Sequence, residues 1–172
     1  SWSDQCLGPD TDLYGIAQGP GVAVAVGEDA LLTSTDNLNW TRLGYTRKLH
    51  GATYGNGMFV VVGKKGSILI SLNGNDWMTC SSGASGYLER ILWAQNRFVA
   101  VGEGGLMVTS TDGTNWTLVP IDTPADLECI AYGNGIFVAG GGYFAANGAV
   151  ATVLTSRDGL NWTDQPSVGF FG

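Results

Sequence analysis

The chain is poor in the residues from which most reactive sites are assembled. A single histidine, His50, in 172 residues excludes any centre built from several imidazoles, histidine-rich zinc sites included. Three cysteines, Cys6, Cys80 and Cys129, are too few and too scattered for a disulfide scaffold, and none sits in a CxxC pair. One disulfide with a spare thiol, or three buried thiols, are both compatible with that count. Eight Lys and Arg against fifteen Asp and Glu leave a net charge of -7, so nucleic acid, which needs clustered basic residues, is not an expected partner. No run approaches the ~20 apolar residues that span a bilayer, and residues 1–12, SWSDQCLGPDTD, lack the basic and apolar regions of a signal peptide. Neither membrane insertion nor a leader within these residues is expected.

What the chain does have is glycine, 27 residues of it, with 44% hydrophobic and only 13% charged residues. That balance predicts one folded domain rich in strands and tight turns. A pattern of Ser, Asp, Gly and Trp at offsets of zero, two, three and six recurs along it. It runs Ser34, Asp36, Trp40; Ser71, Asn73, Trp77; Ser110, Asp112, Trp116; and Ser156, Asp158, Trp162. Each unit starts with an apolar stretch headed by Leu13, Leu49, Leu88 or Leu127. A turn follows, such as GNG at 55–57 and 133–135, where Asn and Gly accept the positive φ of a two-residue hairpin. The second stretch is VAVAVG, MFVVVG, RFVAVG or IFVAGG, a run of the kind buried on both faces. A third strand leads to the repeated Ser, and a fourth begins at the Trp.

Four strands per unit predict an all-β fold, a β-propeller with blades at about 13–48, 49–87, 88–126 and 127–166. A β-sandwich does not require the four-fold repeat. Within the third-to-fourth turn, the Asp carboxylate can accept backbone N–H groups, Gly supplies the unusual φ, and the Trp packs between neighbouring blades. A carboxylate present in every blade serves the fold and not one active site. The SxDGxxW pattern resembles the Asp-box, or BNR, repeat of sialidase-like propellers. The longer YGNGxFVxVG…SxDGxxW unit is similar to BNR-like repeats of secreted bacterial and phage tail proteins. Two departures stand out: the usual Asp-box has one more residue between Asp and Trp, and the first unit has Asn37 and Leu38 where Gly is expected.

The resemblance to sialidases implies an arginine triad, a Tyr with a Glu partner and an acid Asp, but the Arg-Ile-Pro signature is missing and the five arginines do not fall at equivalent strand positions. Glu89 and Glu128 occupy matching positions in neighbouring first strands, the one carboxylate pair suited to glycoside hydrolysis, and channel-facing solvent is the expected environment of both. Glu28, Asp29 and Glu103 could be imagined around calcium, although no calcium loop is present. No metal and no cofactor is expected. The GEGG and GGG runs lie between strands and lack the helix that a phosphate loop needs. The NWT sequons at Asn39, Asn115 and Asn161 are by-products of the repeat.

Function is expected on the face that carries the second-to-third loops and the inter-blade connections, because these vary while the framework repeats. Two features mark it. Arg47, Lys48, Lys64 and Lys65 bring half of the basic residues to adjacent loops, and the fourth unit inserts Tyr143–Ala149, with Tyr143, Phe144 and Asn147. These are the candidate ligand-binding residues. The expected role is a non-enzymatic recognition or adhesion module, virion-borne or extracellular, binding a surface glycan or protein within a larger assembly or oligomer. A purely structural virion component and a degenerate glycosidase are the alternatives.

Overall fold

The computed structural model describes residues 12–45, 47–146 and 148–165. Its strands follow one another as β1 (Leu13–Gly19), β2 (Val22–Gly27), β3 (Ala30–Ser34), β4 (Thr41–Leu43), β5 (Leu49–Gly55), β6 (Met58–Gly63), β7 (Ser67–Ser71), β8 (Met78–Ser81), β9 (Leu88–Ala94), β10 (Arg97–Gly102), β11 (Met107–Ser110), β12 (Thr117–Leu118), β13 (Asp126–Gly133), β14 (Ile136–Ala145), β15 (Gly148–Ser156) and β16 (Thr163–Gln165). Each set of four consecutive strands forms one antiparallel sheet, in chain order. These are the four blades of a β-propeller. The first-to-second hairpins turn as expected: Asn56 and Gly57, and Asn134 and Gly135, all have positive φ, which a two-residue turn matched to strand twist requires.

Three buried clusters hold the blades together, one at each junction between successive blades. Val24, Val26 and Leu31 of blade 1 meet Leu49, Phe59, Val61 and Leu69 of blade 2. Val60, Val62, Ile68 and Ile70 then meet Leu88, Phe98 and Ala100, and Val99, Val101 and Met107 meet Leu127, Phe137 and Leu154. In blades 2 and 3 one side of the second strand therefore faces the next blade and the other side the preceding one, which is why these strands read as continuous apolar runs. Among the described residues no such cluster joins blade 4 to blade 1.

The repeated turn is a closed hydrogen-bond unit. Asp112 Oδ1 accepts the backbone N–H groups of Thr114 and Asn115, both at 2.8 Å, and its Oδ2 accepts the Asn115 side-chain amide at 2.7 Å. The Ser110 hydroxyl donates to Asp112 and accepts from Gly113 N–H at 2.8 Å. Asp36 and Asp158 repeat the carboxylate bonds with Asn39 and Asn161. Those asparagines are thus fold residues. In blade 2 the pair is exchanged: the Asn73 amide donates to the Asp76 carboxylate at 2.8 Å, so the same bond survives with its ends swapped.

Gly113 faces the preceding blade, where an added Cβ would meet Met58 Sδ at 2.5 Å. Gly74 and Gly159 are likewise pressed by Val22 and by Arg97 with Val99. In blade 1 the position is Asn37, also with positive φ, at 60°. Trp40, Trp77, Trp116 and Trp162 are half-buried, not buried, while Phe59, Phe98 and Phe137 beside the last three are buried completely. Two boundaries also shift. The fourth strands begin one residue after each Trp, and the stretch from Tyr143 is no loop: β14 and β15 stay paired through Phe144–Ala149 and Ala145–Gly148. Asn147 lies outside the described residues.

Candidate functional site

A β-bulge near the start of every first strand builds the mouth of the propeller. In blade 2, Leu49 pairs with Gly63 and Gly51 with Val62, which leaves His50 as the extra residue. The same shift isolates Tyr14, Glu89 and Glu128. The cause is a repeated glycine of the second strand, its last residue in blades 1 to 3 and an interior one, Gly141, in blade 4. A Cβ at Gly27, Gly63, Gly102 or Gly141 would stand about 2 Å from the carbonyl oxygen of Asp12, Lys48, Tyr87 or Asp126, so only glycine lets the bulged backbone approach. Bulges re-aim side chains, and here each blade presents one residue that the framework leaves free to vary.

Three of the four bulge residues form a contiguous row. The Tyr14 ring stacks on the His50 ring with centroids 5.0 Å apart, and His50 Nδ1 lies 2.5 Å from Glu89 Oε2. Tyr87 meets the His50 ring edge-on at 5.8 Å. His50 Nε2 is enclosed without a partner. Glu89 is therefore largely covered by His50, which corrects the expectation that both carboxylates face channel solvent. Glu128 is exposed and lies elsewhere, in a cleft of about 470 Å³ with Asp126, Tyr143 and Phe144.

Beside this row opens a cleft of about 550 Å³ lined by Glu28, Asp29, Arg47, Lys48, Lys64, Lys65 and Ser67. All four basic candidates converge here. Lys48 Nζ pairs with Glu28 Oε2 at 2.7 Å, and the Tyr14 hydroxyl donates to the same oxygen at 3.3 Å. The hydrogen bond to Glu28 raises the Lys48 pKa above its usual value, and the bond from Lys48 lowers that of Glu28. Arg47 donates to the Ser67 hydroxyl at 3.3 Å. Lys48 and Lys64 stand over the Tyr14 and Tyr87 rings, 5.8 and 5.6 Å from the centroids, within reach of cation–π attraction. The nearby aromatic faces are thus occupied by cations.

The cleft and the aromatic hairpin occupy two separate pockets, so the candidate residues divide into two groups. Tyr14, His50 and Tyr87 were not singled out by motif. Their signal is positional, since Tyr14 and His50 immediately follow the repeated Leu, and Tyr87 immediately precedes it. Among the described residues no group of three metal-binding side chains occurs. Glu28 is engaged by Lys48, and Glu103 accepts the Tyr87 N–H at 3.0 Å. Cys80 and Cys129 are free thiols, and burial raises the Cys80 pKa.

No protein-family model and no curated protein sequence matches the chain. Solved structures do. YCF48 bound to a D1 peptide matches at 12% identity and a TM-score of 0.70, over 93% of this chain and 55% of that one. The WD40 β-propeller domain of Doa1 matches at 13% and 0.64, over 95% and 57%. A glycoside hydrolase is a more distant likeness, at 8% and 0.52, over 84% and 45%. At these identities the likeness is one of fold, and the chain spans about half the length of these proteins.

Proposed function

We propose that the chain is a non-enzymatic recognition module that binds a carboxylate-bearing protein segment at the basic cleft of the propeller mouth. The observation that carries this reading is the convergence of Arg47, Lys48, Lys64 and Lys65, half of all basic residues, on one cleft of a protein with net charge -7. Such a local reversal of sign focuses an anionic partner on one place. A protein segment fits better than a sugar, because the Tyr14 and Tyr87 faces that a sugar ring would stack on are covered by lysines. That a structural relative is bound to a peptide supports the same direction. Membership of the Asp-box repeat proteins, and display on a virion or secretion, belong to this proposal.

Catalysis by the two carboxylates has less in its favour, since Glu89 is held by His50 and Glu128 sits in a different cleft. Replacing both by Gln tests it: a glycosidase loses turnover on a panel of aryl glycosides, whereas a recognition module shows none in either form. Recognition itself is tested by fluorescence titration of acidic and neutral peptide libraries. Binding of acidic members that weakens at least tenfold in Lys64→Glu supports the proposal, and equal binding by the variant contradicts it.

A further inference from the structure

Blade 2 departs from the repeat at three matched positions, and the other blades are its control. Across the third and fourth strands, Thr33 pairs with Thr41 in blade 1, Thr109 with Thr117 in blade 3, and Thr155 with Thr163 in blade 4. In blade 2 the pair is Ile70 with Met78. Leu72 stands where the other blades have Thr35, Thr111 and Arg157. Together with Met58, Asp76 and Thr114 of the blade 3 turn, these three apolar side chains line a cleft of about 380 Å³. The equivalent cleft of blade 4 has Thr155, Arg157 and Thr163 at the same positions. Leu72 is 74% exposed and Met78 63%. Three blades form the same turn and strand pair with Thr or Arg there, so the fold does not require either apolar side chain.

The charge of the turn is displaced toward the same cleft. Asp36, Asp112 and Asp158 engage both carboxylate oxygens inside the turn, on backbone N–H groups and an Asn amide. In blade 2 the neutral Asn73 accepts the N–H groups of Asn75 and Asp76 instead. The carboxylate moves to exposed Asp76, which accepts the Asn73 amide and forms no ion pair among the described residues. An open negative charge therefore stands on the lip of an apolar cleft. Met78 also begins β8, the outermost strand of its sheet. At four residues β8 is the longest of the outer strands, against three in β4, two in β12 and three in β16. Its outer edge offers backbone donors and acceptors to an extended chain.

We propose that this cleft docks an extended segment of a partner protein in which an apolar side chain lies close to a lysine or arginine. The apolar side chain enters beside Leu72, Met58 and Met78, and the two methionines adapt to its shape. The cation meets Asp76 in a charge-assisted contact. A basic segment suits a chain of net charge -7, whereas a second copy brings the same charge to an acidic lip. The site uses none of the basic-cleft residues and selects the opposite charge, so it stands or falls apart from the recognition reading.

Fluorescence anisotropy of labelled extended peptides tests it. The probes are an apolar-basic peptide, the same peptide with Glu for its basic residue, and the same peptide with Ser for its apolar residue. The native chain is expected to bind the first about tenfold or more tightly than the other two. Leu72→Thr/Met78→Thr and Asn73→Asp/Asp76→Asn each install residues that other blades already carry, so the melting midpoint is expected to hold. The first variant loses about tenfold or more in affinity for the apolar-basic peptide, and the second no longer separates the basic from the acidic peptide. Leu72→Thr alone, at a largely exposed position, shows the same direction with the core untouched. Failure of the native chain to bind the apolar-basic peptide, or equal binding by the Thr variants, would overturn the proposal. So would phenethylamine binding as tightly as the peptide, which makes the cleft a small-molecule site, or self-association in sedimentation that Leu72→Thr abolishes, which makes a second copy the occupant.

Discussion

At the scale of residues, the repeated turn and the buried phenylalanines make separable contributions. Backbone N–H groups, the Asn39, Asn115 and Asn161 N–H first among them, hold the Asp36, Asp112 and Asp158 carboxyls well below the usual carboxylate range. The folded carboxylates thus bind protons less readily than the unfolded ones, whose pKa is about 4. Their contribution is complete above that value and is lost as the pH falls toward the folded pKa values. Acid titration of the melting midpoint is therefore expected to be less steep in Asp112→Asn than in the native chain. The exchanged pair in blade 2 gives a sharper expectation. Asp112→Asn alone lowers the midpoint, and adding Asn115→Asp recovers part of the loss by recreating the Asn73–Asp76 arrangement; additive losses would show that the two side chains are uncoupled. Phe98, fully buried between blades, is expected to cost about 3–5 kcal/mol on replacement by Ala. Half-buried Trp116 is expected to cost less, and chemical denaturation of the two variants gives the ranking.

At the scale of elements, the hairpin extension of blade 4 is an addition to a finished sheet. Val138 to Gly142 pair with Ala151 to Thr155 without it, so deleting residues 143–149 and closing the strands with Asn-Gly is expected to leave a cooperative melt and intact strand content. Loss of folding would show that the extension is part of the core. Most of this level was legible in the sequence. The first strands of blades 1 to 3 and the second strands of the same blades begin and end where the repeat puts them, because a short buried strand flanked by turn residues carries its own punctuation. The bulges were not legible. They depend on which of the first residues of each first strand drops out of the ladder, a tertiary matter settled by the close approach at Gly63 and its equivalents. The pairing across Phe144 and Ala149 was missed for a related reason: YFAANGA carries no apolar alternation that separates a longer hairpin from a loop.

At the scale of the whole molecule, repetition and variation divide the labour. Residues that recur in each blade make turns and blade junctions; residues that differ at equivalent bulge and loop positions collect at one mouth. Sequence parity was enough to place Arg47, Lys48, Lys64 and Lys65 on one side, since second-to-third loops and inter-blade connections share an end of the sheets. It could not show that Tyr143 and Phe144 line a cleft of their own, nor that lysines cover the aromatic faces beside the basic cleft, because both depend on side-chain directions. The cleft's sign is the property on which recognition rests, and salt should matter accordingly: binding there is expected to weaken as ionic strength rises. The most direct measurement is a peptide array probed in parallel with the native chain and with Arg47→Glu/Lys64→Glu, two exposed residues whose replacement leaves the core untouched. Recognition at the mouth predicts that acidic peptides retained by the native chain are lost by the variant while the melting midpoint is unchanged. Acidic peptides retained equally by both proteins, or none retained by the native chain, would contradict it.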